Sequence, residues 1–146
     1  VRDGFDYWRG LCIGGRLPGR GDVDPVAFFP LLPHSMLVDV VNNGSERRFR
    51  FRLVGEQFRE IIGGNYTGWF MDEVPQIRDD EGEVLACYNA VTDRGLAHFW
   101  HRRFIDPNRG WLAYERVVLP LAADGRKVDM LMSFSGILDK YRGRAG

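Results

Sequence analysis

Arg48-Phe49-Arg50-Phe51-Arg52-Leu53 alternates charged and apolar residues over six consecutive positions. Successive side chains of a β-strand point to opposite faces, so this pattern predicts a strand that buries Phe49, Phe51 and Leu53 and leaves the arginines in solvent. The apolar stretch 36–41 comes before it, and Asn42-Asn43-Gly44-Ser45 has the composition of a turn. The two strands therefore form a predicted antiparallel hairpin.

The last third of the chain is strand-like again. Three strands are predicted at 97–105, 111–121 and 128–138, and in the last of them Val128, Met130, Met132 and Phe134 share one face. Asp106-Pro107-Asn108 and Asp124-Gly125 separate the strands and have turn compositions.

Between the hairpin and these strands the apolar spacing becomes helical. Phe58, Ile61 and Ile62 share the face of a helix that Gly63-Gly64 ends, and 66–74 is expected to form a short helical turn. Asp80 and Glu83 resemble a capping box at the start of the longest helix. The apolar stripe of that helix is Val84, Cys87, Tyr88 and Val91, and Gly95 closes it.

The N-terminal part is expected to lie outside this sheet. Apolar residues spaced by three and four predict a short amphipathic helix at about 4–13, ended by Gly14-Gly15. Asp24-Pro25 predicts the start of a second short helix. The whole pattern is that of one α+β domain with an antiparallel sheet and a helical insert after its second strand.

Composition narrows the function classes. The chain has 146 residues, which suits one domain, and its 20 basic and 20 acidic residues cancel, which argues against a nucleic-acid binder. No apolar run approaches the roughly 18 residues that span a bilayer. Cys12 and Cys87 have no nearby cysteine, which favours a reducing cytoplasm over a disulfide framework. The chain begins with Val1, which indicates a processed or excised segment.

Several local segments are more specific than the element order. RLPGRGDVDP (16–25), FRFRLVG (49–55), TGWFMDE (67–73), YERVVLPL (114–121) and VDML (128–131) resemble the opening, middle and end of a PAS subfamily common in alphaproteobacteria. The resemblance covers nearly the whole chain. It implies one domain over 1–146, with its core at about 16–138, a five-stranded sheet in the order 2-1-5-4-3, and a non-enzymatic sensory role.

The resemblance also implies where a ligand would lie, because PAS domains hold small molecules between the helical insert and the sheet. Aromatic and thioether side chains suit such a cavity, although ordinary core packing is the competing interpretation. The candidate lining residues are Phe58, Tyr66, Trp69, Tyr88, Phe99, Tyr114, Met130 and Met132.

The cofactors familiar in PAS domains are disfavoured. The axial histidine of heme-binding members lies on the long helix, and 80–94 contains no histidine. Flavin photoreceptors carry an Asn-Cys-Arg-Phe type of motif on an earlier helix, whereas Cys87 lies between Ala86 and Tyr88. His98 and His101 are three apart in a strand and face opposite sides, so no metal site is predicted.

Two alternatives stay open beside the sensor. One is a small cone-shaped isomerase or dehydratase, for which Asp39 or Asp129 would supply the carboxylate. The other is a structural dimerisation module with a filled core. We expect a homodimer that contacts its partner through Phe5, Trp8 and Leu11, with packing of that helix on its own sheet as the competing interpretation, and a protein partner for output.

Overall fold

The computed structural model describes residues 1–80, 82–106 and 110–142. Five strands form one antiparallel sheet: β1 (Ser35–Asn43), β2 (Glu46–Val54), β3 (His98–Asp106), β4 (Gly110–Leu121) and β5 (Met130–Arg142). Their spatial order is β2-β1-β5-β4-β3, which confirms the predicted architecture. Part of the predicted turn at Asp106-Pro107-Asn108 lies outside the described residues.

Among the described residues, four α-helices accompany the sheet. They are α1 (Arg2–Leu11) before it and, between β2 and β3, α2 (Glu56–Ile62), α3 (Pro75–Arg78) and α4 (Glu83–Arg94). Gly63 and Gly95 follow α2 and α4 with φ values of 92° and 66°, the left-handed conformation in which glycine costs least. Both helix ends were predicted from these glycines.

Two predicted helix starts are wrong. Asp24 does not begin a helix: its carboxylate accepts the Val26 N–H in a turn, and a 3-10 helix follows only at Phe29–His34. Asp80 accepts the N–H groups of Gly82 and Val84, so it shapes the turn before α4, whose N-cap is Gly82. Asp and Asn side chains satisfy turns and helix caps with the same hydrogen bonds, and sequence spacing does not separate the two.

The predicted core face of β2 is correct at Phe49 and Phe51 and wrong at Leu53. Phe51 is 1% exposed, whereas Leu53 is 45% exposed. Leu37 of β1 pairs with Leu53, but the next residue, Val38, pairs with Phe51, so the β1–β2 register shifts by one residue between these two pairs. One extra residue in a strand reverses the facing of the residues beyond it, so Leu53 turns to the opposite face.

The sheet is covered on both sides, which gives two apolar cores. The insert face, named for the helices α2–α4 that cover it, carries Val38, Leu131 and Val118 among others. The N-terminal face, covered by α1 and the segment that follows it, carries Leu119, Met132 and Phe134. Adjacent residues of the central strands therefore belong to different cores.

Helix α1 packs on the sheet of its own chain. Trp8 is 8% exposed, and its indole Nε1 donates to the Pro120 carbonyl at 2.9 Å. The Phe5 ring lies 5.1 Å from the Phe99 ring, and Leu11 packs against the same core. The three residues predicted for a dimer interface thus cover the N-terminal face, because apolar spacing shows that a helix has a buried side without showing what buries it.

A pair of β2 variants tests the register shift. Phe51→Asp places an unpaired carboxylate in the insert core, so we expect a loss of more than about 4 kcal/mol and an unfolded chain. Leu53→Asp, two residues away, should cost less than about 1 kcal/mol because the side chain reaches solvent. Circular dichroism with urea titration measures both, and equal destabilisation by the two variants would contradict the shifted register.

Two glycines of α1 test how closely the helix approaches the sheet. A Cβ atom on Gly4 would overlap the Phe134 ring, whereas one on Gly10 would meet nothing within 4 Å. Gly4→Ala should cost about 1–3 kcal/mol and raise hydrogen exchange of the α1 amides. Gly10→Ala should stabilise by up to about 1 kcal/mol through helix propensity. The same effect from both substitutions would mean that α1 is not seated on Phe134.

Candidate functional site

A small cavity lies between the helical insert and the insert face of the sheet. Its volume is about 40 Å³, enough for ordered water and well below the roughly 300–1,000 Å³ of a drug-sized pocket. The lining residues come from both layers: Met36, Phe51, Phe58, Ile61, Ile62, Met71, Ile77, Val84, Tyr88, Tyr114 and Arg116. Ten of these eleven side chains are apolar or aromatic, and Arg116 is the one that carries a charge.

Polar contacts fix the insert to strand β2. The Arg48 guanidinium donates to both Asp72 carboxylate oxygens, at 2.8 and 2.7 Å, and stacks 3.8 Å from the centre of the Phe70 ring. The hydrogen bond from Arg48 lowers the pKa of Asp72. Phe51 also exchanges backbone hydrogen bonds with the insert, donating to Trp69 and accepting from Gly68. These contacts set the distance between the insert and the sheet.

Arg116 occupies an unusual position in β4. It is 4% exposed, and its guanidinium carbon lies 3.8 Å from the centre of the Trp100 ring and 5.3 Å from that of Tyr88. One terminal nitrogen donates to the Cys87 sulfur at 3.3 Å, while Nε has no acceptor. Within the described ranges no carboxylate forms an ion pair with it.

The ionisable groups around Arg116 are held neutral near pH 7. Burial raises the pKa of the Cys87 thiol, and the Arg116 charge opposes this less strongly. Burial likewise raises the pKa values of Tyr88 and Tyr114. The His98 pKa is lowered, first by burial and second by the Arg116 charge. The thiol and the His98 ring, 3.1 Å apart from Sγ to Nδ1, are thus both uncharged, and Arg116 keeps its charge.

Five of the eight predicted lining residues lie on the insert side. Phe58, Tyr88 and Tyr114 line the cavity. Tyr66 is partly buried against the same core, and its hydroxyl accepts from Gln76 at 3.4 Å. Trp69 stacks edge-on against Tyr66 with 47% of its surface exposed, so it lies at the outside of the insert.

The other three lie on the opposite side of the sheet. Met130 and Met132 belong to the N-terminal core, and Phe99 contacts Phe5 of α1. Strand alternation correctly placed Met130, Met132 and Phe134 on one face, but alternation does not identify which layer covers that face. Val128, predicted to join them, precedes β5 and packs in the insert core.

Sequence reasoning did not single out Arg116, the most distinctive residue of the site. A signal was present: at 112–118 the residues on one face of the strand are Leu112, Tyr114, Arg116 and Val118, so one charge interrupts an otherwise apolar or aromatic face. Trp100 pairs directly with Arg116 across β3 and β4.

The carboxylates of the enzyme alternative lie elsewhere. Asp39 is ion-paired with Arg50 and Arg52, at 3.4 and 2.9 Å, and Asp129 is exposed and accepts the Ala123 N–H. Neither lines the cavity. The cavity wall presents one guanidinium and two phenols, and the neutral Cys87 thiol lies beside the guanidinium.

In the described part of the chain, no group of three or more histidine, cysteine or acidic residues is arranged to hold a metal. No helix there is long and apolar enough to cross a membrane. Among the described residues that line the cavity there is no amide side chain.

Comparison with known proteins gives a family and a fold. The family model described as "PAS domain" matches residues 1–138. None of the curated proteins compared with the chain is similar to it in sequence.

Solved structures share the fold at low sequence identity. VqmA bound to DPO is 18% identical with a TM-score of 0.59, and the match covers 77% of this chain and 56% of VqmA. A Rhodobacter sphaeroides LOV protein is 17% identical with a TM-score of 0.54, covering 85% of this chain and 71% of that protein. The N-terminal domain of a Marinobacter aquaeolei diguanylate cyclase with a PAS/PAC sensor is 18% identical with a TM-score of 0.51, covering 72% and 95%.

The charge of Arg116 can be detected at His98. Arg116→Met removes one of the two causes that lower the His98 pKa, so we expect this pKa to rise yet stay below its ordinary value of 6.5, since burial is the larger cause. NMR titration of the imidazole measures it. Arg102→Met is the matched control, because Arg102 stacks 4.7 Å from the same Trp100 ring. An unchanged His98 pKa in Arg116→Met would contradict the described placement of the guanidinium.

Proposed function

The chain belongs to the PAS domain family, and from that membership we propose that it is a non-enzymatic sensory domain whose insert cavity binds a small ligand. The observation that carries the proposal is the apolar cavity between α2–α4 and the sheet, with the buried Arg116 in its wall. A binding pocket typically combines an apolar lining with a few polar groups, and this cavity has that composition.

The size of the cavity limits what it holds in this conformation. About 40 Å³ admits a group of a few atoms, and a larger ligand requires the insert to move outward. Helices α2 and α3 have seven and four residues, so each is attached to the sheet by few side chains. Such segments have low local stability, which makes them the natural moving part of the proposed sensor.

We also propose a subfamily, a cellular location and a mode of signalling for the chain. Segments such as RLPGRGDVDP (16–25) support its assignment to the alphaproteobacterial PAS subfamily. We propose that it is a single cytoplasmic domain, and that it signals through a protein partner and not through nucleic acid. The VqmA structures, one of which is described as a Vibrio cholerae VqmA dimer, support a homodimer by analogy. Trp8 is buried and Phe5 and Leu11 are partly buried against the sheet of their own chain, so we propose that most of the interface of such a dimer lies on another surface.

Xenon tests whether the cavity is open to a ligand, since it enters apolar cavities without needing polar contacts. We expect xenon pressure to shift amide resonances of α2 and α4. Val84→Phe, which fills the cavity from α4, should abolish these shifts. Val91→Phe is the matched control, because Val91 is buried in the same helix but does not line the cavity. Val91→Phe should keep the shifts and be the more destabilising variant, by about 1–3 kcal/mol.

Native mass spectrometry of freshly purified protein complements this test, since mass lost on denaturation reveals a ligand acquired in the cell. Absence of xenon shifts together with the absence of any released mass would instead support the structural dimerisation module with a filled core.

A further inference from the structure

Arg116 is a permanent charge in a place where charges are costly. Arginine side chains carry a positive charge in proteins, and Arg116 is only 4% exposed, so almost no water reaches its guanidinium. Buried charges in proteins are normally paired with an opposite charge, because desolvating an unpaired ion costs several kcal/mol. Arg116 instead has two aromatic rings and a thiol, which supply weaker compensation than a carboxylate does.

What Arg116 lacks is a negatively charged hydrogen-bond acceptor. The Nε of Arg116 has no hydrogen-bond acceptor. Cys87 does not fill this role as a thiolate, because burial raises its pKa. A buried, positively charged donor without an acceptor, in the wall of an apolar cavity, forms one half of an anion site.

We propose that Arg116 anchors a small monocarboxylate in the insert cavity, with the apolar part of that ligand against the residues of α2 and α3. This inference rests on the proposed function and adds the chemical class of the ligand. A carboxylate offers two oxygens to the planar guanidinium, and its single negative charge balances a single positive charge. A dianion would leave excess charge among apolar side chains, and the apolar wall formed by Phe58, Ile61 and Ile77 gives no second cation.

The test compares carboxylates with amides of the same shape. Acetate, butyrate and benzoate are paired with acetamide, butyramide and benzamide, and calorimetry with thermal shift measures each affinity. We expect at least one carboxylate to bind about 10- to 100-fold more tightly than its amide, the preference that a charge-assisted contact gives. The graded size of the probes shows how far the insert opens, since the cavity volume is only about 40 Å³.

Variants assign the preference to Arg116. Arg116→Met should bind carboxylate and amide alike, and Arg116→Lys should retain part of the preference because it keeps the charge and loses the planar fork. Arg102→Met is again the matched control: Arg102 stacks on Trp100 but pairs with Glu83 at 3.2 Å and does not line the cavity. It should bind like the wild type. If Arg116→Met does not fold, the proposal is tested by the carboxylate and amide affinities of the wild type and of Arg116→Lys.

The outcomes separate this inference from the proposed function. Equal binding of carboxylate and amide by the wild type, or an unchanged preference in Arg116→Met, overturns the anion inference and leaves a cavity for neutral ligands. Xenon shifts without binding of any carboxylate overturn it as well. If neither xenon nor any probe binds and no mass is released from the native protein, the proposed function falls together with the inference.

Discussion

The central strands of the sheet are apolar on both faces, and this constraint governs the rest of the fold. Val117 and Val118 are neighbours in β4, point to opposite faces and are both fully buried, and Leu131 and Met132 repeat the pattern in β5. A sheet of this kind is stable only when a second layer covers each side. Helix α1 and the helical insert are those layers. The family match accordingly begins at residue 1, before α1.

The two layers are attached in different ways. Helix α1 is ten residues long and is held by the Trp8 hydrogen bond to Pro120 and by the close approach of Gly4 to Phe134. The insert combines the twelve-residue α4 with the shorter α2 and α3, and it is tied to β2 by Arg48, Asp72 and the backbone contacts of Phe51. The layer on the N-terminal face is therefore anchored through one helix, and the insert through the segment between α2 and α3.

Sequence periodicity predicted the elements, and the resemblance to PAS domains implied the sheet order, but neither predicted every buried face. The alternation at 48–53 identified β2 and two of its core residues, while Leu53 was misplaced because a bulge leaves no trace in an alternating pattern. Met130 and Met132 were correctly grouped and assigned to the wrong layer, since β5 buries residues on both faces and alternation does not show which layer covers which face. Three cavity residues, Phe58, Tyr88 and Tyr114, were found because helix and strand periods agreed with the resemblance.

Arg116 shows why the site was the hardest part to predict. A charged residue in a strand is ordinarily predicted to be exposed to solvent. Arg116 is buried because the helical insert covers its face of the sheet, and the sequence of the strand does not show this. The Arg116 guanidinium contacts the helical insert and the sheet. It donates to Cys87 of α4 and stacks on Trp100 of β3, and its charge contributes to the neutral state of His98. The negative charge of an anion beside Arg116 would offset the positive charge of the guanidinium at Cys87, Trp100 and His98 together. Ligand binding would therefore change the contacts between α4 and the edge of the sheet, which joins the proposed site physically to the outer surface of the domain.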